Sequence, residues 1–423
     1  MARRTSPIAA AAAASRPDVP DRSLTPDESL PTMAIRAAGG HTFVYRKMVE
    51  GAIGPAVPNH GDLVRVVDRD AQHVGFALYN GRSQIALRML ARGQAAPGPE
   101  FWTRRIDEAA ALRQSLLGLD RETDAYRVIH AEGDGLSGLI VDRFVDVLSV
   151  EIFSLGIYQR IGPILGLLAD RMGTAHYRVN VDERVARQED FSGRPLASPL
   201  LPPRVTIQEH GIKYRIHFGE GHKTGFFCDQ RDNRRELARY CEGRSVLDLC
   251  CYTGGFGLNA MIRGKAREVT CVDLDEKAVA LAKENGNANR VRLDAVHADA
   301  FGYMRTMGGN GRSYGVIVLD PPKLIPDRDE IAPGKRKYFD LNVLAMKLVE
   351  PGGVLVTCSC SGLLSPFDFQ GILRAASRVA GRPAQLLAFT GAAGDHPVAL
   401  DTPESAYLKV AWLRMGDPAD RSE

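Results

Sequence analysis

At 423 residues the chain exceeds a single domain of ~100–200 residues, so two or three domains are expected. A hydrophobic fraction of 44% and a charged fraction of 25% exclude a disordered or fibrous protein, and no apolar run is long enough for a membrane-spanning helix. The net charge of +3 permits a polyanionic partner without requiring one, and the 7 cysteines, odd in number and without a C-x-x-C pair, exclude a disulfide or zinc framework and fit a reduced cytosolic compartment.

Residues 1–31 begin with two arginines and an alanine-rich run, too weakly hydrophobic for a signal peptide, and read as a disordered tail. Residues 32–100 follow with short strand-like runs at 62–67, 74–79 and 84–89 separated by turn residues, the pattern of a small β-barrel or sandwich. An apolar stripe over 102–117 predicts a helix leading into a block at 101–203, where strands at 126–130, 139–142 and 147–153 precede a helix at 158–172 and a strand at 177–181. Strands grouped before a helix suggest an α+β unit, closed by a proline-rich linker at 198–203.

From 204 to 423 strands alternate with helices, the sequence form of a parallel sheet with crossover helices. Strands are predicted at 245–250, 268–273, 295–298, 315–320, 353–358, 385–389 and 406–413, with helices at 256–262, 276–287, 337–349 and 366–380. The fold class is therefore α/β, with a Rossmann-like domain of seven mostly parallel strands behind two smaller domains.

The first of these strands runs into Asp248-Leu-Cys-Cys-Tyr-Thr-Gly-Gly-Phe-Gly257, a glycine-bearing turn that lets backbone approach a nucleotide-like ligand. It is not G-x-G-x-x-G, because cysteine stands at the usual first glycine. Asp273 ends the next strand, where a carboxylate takes the two ribose hydroxyls of an adenosine, and Asp299 follows the third, where it can accept from an adenine amino group. Asp320-Pro-Pro-Lys323 ends the fourth strand, and the paired prolines stiffen a wall against which a base can rest. Val356-Thr-Cys-Ser-Cys-Ser-Gly362 leaves the fifth strand with Cys358 still in the apolar run and Cys360 beyond it.

His222-Lys-Thr-Gly-Phe-Phe-Cys-Asp-Gln-Arg231, Tyr252-Thr-Gly-Gly-Phe256, Asp320-Pro-Pro-Lys323 and Ser359-Cys-Ser-Gly362 together resemble the bacterial large-subunit rRNA cytosine-C5 methyltransferase family. Asp134-Gly-Leu-Ser-Gly138, Val141-Asp-Arg-Phe144, Asp395-His-Pro397 and Tyr407-Leu-Lys409 also look like segments of that family. The resemblance implies a PUA-like RNA-binding domain, a central α+β domain and a class I methyltransferase domain that uses S-adenosylmethionine and no metal. It implies cofactor contacts from Gln230, Asp248, Tyr252, Thr253, Gly254, Asp273, Leu274, Asp299 and Asp320, and places the nucleophile on Cys360. Cys228 and Cys358 depart from the residues common at their positions, each an apolar-for-apolar change.

Cytosine C5 needs a thiolate at C6 to make it nucleophilic, which assigns covalent catalysis to Cys360. Asp320 is expected to hold the protonated N3 edge, and Glu404, near the ligand end of the last strand, to remove the C5 proton, with His396 and a water as alternatives. The target base must be unpaired or extruded. Lys323 is open to two tasks, helping Cys360 to its thiolate or meeting RNA phosphate, and Lys335, Arg336 and Lys337 are expected to meet RNA phosphate. The partner implied is ribosomal RNA, naked or in an assembling large subunit, with no membrane and a homodimer as one candidate state. Two readings compete. An RNA N-methyltransferase would want an aromatic residue after the prolines, where Lys323 stands, and a non-catalytic RNA-binding factor would not need Asp248, Asp273, Asp320 and Cys360 together.

Overall fold

Strand β1 (Thr32–Ile35) opens a six-stranded sheet with β2 (Phe43–Tyr45), β3 (Val49–Ile53), β4 (Leu63–Val67), β5 (His73–Tyr79) and β6 (Ile85–Ala91), in the order β2-β6-β5-β4-β1-β3. These strands come from a computed structural model, which describes residues 19–218 and 225–418. β1 to β3 escaped the sequence reading because each is short and shows no sustained alternation. Where a disordered tail was expected up to residue 31, the chain from Val19 onward is packed: Leu24 is buried, and Arg22 donates to Gln159 Oε1 at 2.8 Å. Residues 1–18 lie outside the described residues.

Helix α1 (Pro99–Ala111), which starts on a proline at its first turn, leads into a five-stranded sheet. That sheet comprises β7 (Ala125–His130), β8 (Leu139–Phe144), β9 (Val147–Ile152), β10 (His176–Asn180) and β11 (Leu196–Ala197), in the order β11-β10-β9-β8-β7. Its helices are α2 (Leu155–Gln159), α3 (Ile161–Met172) and α4 (Glu183–Glu189). Glu189 is buried and joins this sheet to the first one, accepting from Ser83 Oγ at 2.7 Å and pairing with Arg88 at 3.1 Å. The hairpin of β12 (Arg204–Glu209) and β13 (Ile212–His217) follows.

The remaining elements are α5 (Arg231–Leu237), β14 (Ser245–Leu249), α6 (Gly255–Ile262), β15 (Glu268–Asp273), α7 (Glu276–Ala288), β16 (Asp294–His297), α8 (Ala300–Gly309), β17 (Tyr314–Leu319), α9 (Ile331–Leu348), β18 (Val349–Ser359), α10 (Pro366–Ala380), β19 (Ala384–Thr390) and β20 (Lys409–Met415). Their seven strands form one sheet in the order β16-β15-β14-β17-β18-β20-β19. All pairs from β16 through β18 are parallel, and β20 alone runs antiparallel to both neighbours. β14 and β17 are buried along their whole length, as strands covered by helices on both faces must be. The strand order reverses between β14 and β17, which opens a crevice at their carboxyl ends.

The chain divides into two compact units: residues 1–207, 216–226 and 394–405, and residues 208–215, 227–393 and 406–423. The excursion 394–405, between β19 and β20, thus belongs with the N-terminal domains. Arg113, fully buried, donates to the Asp395 carbonyl at 2.6 Å, and the Arg127 backbone N–H donates to the Asp395 carboxylate at 2.9 Å.

Candidate active site

Four strand ends supply the site of the second unit. At the end of β14 the backbone enters the left-handed region at Cys250, Tyr252 and Gly254, with φ of 60°, 47° and 73°. Two non-glycine residues there store strain of a kind that concentrates at ligand sites. Gly254 ends that turn at the N-cap of α6. Gly257, one turn into α6, lets the helix lie on the sheet: a Cβ there would stand 2.5 Å from Cys271 Sγ and 3.4 Å from Asp248 Oδ2.

Asp248 is buried within β14. Its Oδ2 accepts the Gly257 N–H at 2.9 Å, and its Oδ1 is buried with no partner among the described residues. Burial pushes this carboxyl up to about 7, against the pull of the Gly257 N–H. At the end of β15, Asp273 Oδ2 accepts the Tyr252 N–H and Oδ1 the Asp275 N–H, each at 2.9 Å, which ties the β14 turn to the β15 carboxylate. Leu274 beside it is 67% exposed, an apolar side chain at the rim of the crevice. Thr253 is buried, and its carbonyl accepts from Asn285 Nδ2 at 3.1 Å. Asp299 is exposed and caps α8, accepting from Gly302 N–H at 2.8 Å.

Asp320 follows β17 and is held from a different direction. Gln230 Nε2 donates to its Oδ2 at 2.9 Å and also lies 3.6 Å from Cys358 Sγ. Burial first, and the nearby Asp229 carboxylate second, push Asp320 up to about 7, while the Gln230 amide and the Cys358 thiol restrain the rise. Behind Gln230 runs a relay unread in the sequence. Asn233 Nδ2 donates to Gln230 Oε1 at 2.8 Å, Thr390 Oγ1 to Asn233 Oδ1 at 2.7 Å, and Trp412 Nε1 to Thr390 Oγ1 at 3.0 Å. Asp229 accepts from the Tyr407 hydroxyl at 2.5 Å. The segment is anchored by Arg234, which forms a buried two-pronged pair with Glu209 at 2.8 and 2.6 Å and donates to the Phe227 carbonyl at 2.9 Å. His222, Lys223 and Thr224, the start of this motif, lie outside the described residues.

Cys358 is fully buried in β18 opposite Val410, and burial holds its thiol well above the ordinary range. Cys360 stands just past the strand end, half-buried and reduced. Ser361, next to it, is buried and meets the Tyr338 hydroxyl at 3.0 Å. Lys409, at the start of β20 and paired with Ser359, is 3% exposed. Its ammonium donates to the Ser361 carbonyl at 2.6 Å and the Tyr407 carbonyl at 2.8 Å. The sequence reading placed Lys409 in a family-like segment, Tyr407-Leu-Lys409, and gave it no role.

The basic residues expected at RNA divide. Lys335 pairs with Asp368 at 3.3 Å, Arg336 pairs with Asp340 and lies over the Phe339 ring, and Lys337 is exposed. Glu404 and His396 lie in the excursion that belongs to the first unit. Glu404 sits 3.1 Å from His41 Nε2, and His396 is buried against Asp395 and the His130 ring.

A parallel sheet extended by one antiparallel strand, with carboxylates at the ends of β14, β15 and β17 around a strained turn, defines a class I methyltransferase. In agreement, residues 178–409 match the S-adenosylmethionine-dependent methyltransferase family and residues 31–92 a PUA-like domain. The chain is 37% identical over 388 residues to the ribosomal RNA large subunit methyltransferase I of Aeromonas hydrophila, covering 88% of this chain and 95% of that protein. It is 35% identical over 375 residues to the protein so named in Escherichia coli, covering 87% and 94%. The chain belongs to this methyltransferase family. Its fold is also that of a candidate SAM-dependent methyltransferase from Streptococcus mutans, with a TM-score of 0.74, 18% identity and coverage of 90% of this chain and 99% of that one.

Proposed function

We propose that this chain methylates C5 of a cytosine in large-subunit ribosomal RNA through a covalent adduct between Cys360 and C6. The observation that carries the reading is Cys360 leaving β18 directly beside the strand whose end holds Asp320. S-adenosylmethionine, when bound, supplies the electrophilic methyl group. Asp273 receives the ribose hydroxyls, the exposed Leu274 side chain meets the adenine and Asp299 its amino group, while Tyr252, Thr253 and Gly254 line the turn. Asp248 fits a cationic ligand because its buried Oδ1 has no partner among the described residues.

Cys360 Sγ forms the bond to C6, and the C5–C6 electron pair becomes nucleophilic at C5. Asp320, protonated, donates to N3 and disperses the negative charge that the thiolate pushes into the ring. Gln230 fixes the carboxyl that does this. After methyl transfer a base takes the C5 proton, the C6–S bond breaks and the C5–C6 double bond re-forms. Glu404 is the proposed base, a role that requires its pair with His41 to part.

The substrate is an unpaired or extruded cytosine, because a stacked base cannot reach a cysteine recessed at a strand end. The PUA-like domain grips RNA, and Lys323, Lys335, Arg336 and Lys337 contact phosphate. The reaction belongs to the cytoplasm. Large-subunit RNA, free or in an assembly intermediate, is the partner of one chain or of a homodimer. Among the described residues no helix is long and apolar enough to cross a membrane.

RNA carrying 5-fluorocytosine tests the reading, since fluorine at C5 cannot leave as a proton and the adduct persists. A stable protein–RNA species in wild type and its loss in Cys360→Ala are expected. Methylation of rRNA from labelled cofactor by Cys360→Ala would overturn the assignment.

A further inference from the structure

Lys409 is a buried ammonium whose observed acceptors are two neutral carbonyls, Ser361 O and Tyr407 O. Among the described residues no carboxylate forms an ion pair with it. A charge taken out of water without an anion is costly, and such a residue at the head of a strand that continues with buried Val410, Ala411 and Trp412 needs a reason. Its surroundings supply one. Antiparallel pairing sets Lys409 opposite Ser359, and the bond to Ser361 O brings its ammonium to the peptide between Ser361 and Gly362, one residue past Cys360.

We propose that Lys409 is a positioning residue for Cys360: its ammonium ties down the turn at Ser361 and is the fixed positive charge beside which the Cys360 thiolate forms. The inference rests on the reading of Cys360 as nucleophile. Burial pulls the Lys409 ammonium down to about 8, the Cys360 sulfur draws it back up and Lys323 pushes it further down, so all three groups share one field. Among the described residues Cys358 in β18 and the Tyr338 phenol on α9 also feel the Cys360 sulfur; burial above all, and Cys360 after it, push Tyr338 up to about 12. Neither is a cation. Lys409 and Lys323 bring positive charge to this field, and Lys409 is bonded to the Ser361 carbonyl, one residue past Cys360.

The test reads the pH profile of covalent capture of 5-fluorocytosine RNA, and of Cys360 alkylation by iodoacetamide, in the full-length protein. Lys409→Met fits the apolar strand. Lys409→Gln keeps an N–H donor for the Ser361 carbonyl while removing the charge. In both, the midpoint is expected to rise by about one to three pH units, with capture at neutral pH slowed ~10-fold or more. Lys409→Arg is expected to retain a midpoint near that of wild type. Cofactor affinity is expected to be unchanged throughout, which a merely structural role would not give. An unmoved midpoint in Lys409→Gln overturns the inference, whether or not Lys409→Met folds. Wild-type protein that never captures the RNA, or Cys360→Ala that still methylates, sinks instead the reading on which it rests.

Discussion

Gln230 stands between Asp320 and Cys358, its single amide nitrogen 2.9 Å from the carboxylate and 3.6 Å from the thiol. That nitrogen restrains the rise of the Asp320 carboxyl, because its hydrogen bond favours the charged form while burial, and the Asp229 carboxylate after it, favours the neutral one. Removing it in Gln230→Ala leaves Asp320 protonated to higher pH and lets the carboxyl rotate. We expect kcat/KM to fall ~10–100-fold, the scale of one hydrogen bond to a charged group, with the alkaline limb of the rate profile moved upward. Steady-state methylation across pH 5.5–9 checks both.

In wild type the profile of adduct formation is expected to be bell-shaped. Thiolate formation raises the rate with pH, whereas Asp320, held up to about 7, loses the proton it donates as pH rises through that value. Asp320→Asn, which cannot titrate, should lose the alkaline limb while keeping the acid one. Rapid-mixing capture of 5-fluorocytosine RNA resolves the two limbs.

Asp248, proposed at the cofactor, also carries a pH-dependent share of stability. Its folded-state carboxyl stands at about 7 against an ordinary 3.8, so the folded protein binds the extra proton. The associated stability is present below the ordinary value and is lost as pH climbs through about 7. Asp248→Asn is therefore expected to melt higher than wild type at pH 8, with the gap closing toward pH 5. The same variant should bind S-adenosylmethionine ~10–100-fold more weakly. Thermal melts at both pH values and calorimetric titration measure the trade.

Glu209 and Arg234 make a buried pair at 2.6 Å, with side-chain exposures of 0% and 4%. Glu209→Gln leaves a guanidinium buried without its anion, which costs about 3–5 kcal/mol in comparable cases. Urea unfolding should show a drop of that order. The Gln230 segment should loosen with it, because Arg234 also holds the Phe227 carbonyl.

Glu404→Gln separates a base from a surface carboxylate. Loss of turnover with accumulation of methylated Cys360–RNA adduct is expected, read on denaturing gels. Normal turnover without adduct would assign Glu404 only to its pair with His41.

The alternation of apolar strands and amphipathic helices after residue 204 made the seven-stranded sheet legible, because parallel strands buried on both faces are written as continuous runs such as Val316 to Leu319. Asp248, Asp273, Asp320 and Cys360 were legible for the same reason: each stands at or near a strand's carboxyl end, and order along the chain fixes which end that is. What sequence order could not contain is which side chains meet across strands. The relay from Gln230 through Asn233 and Thr390 to Trp412, the ammonium of Lys409 beneath the Cys360 turn, and the attachment of Glu404 to His41 join residues far apart in sequence. Those pairings depend on sheet register and on burial, which make an ordinary Lys or Gln consequential, and only the folded chain decides them.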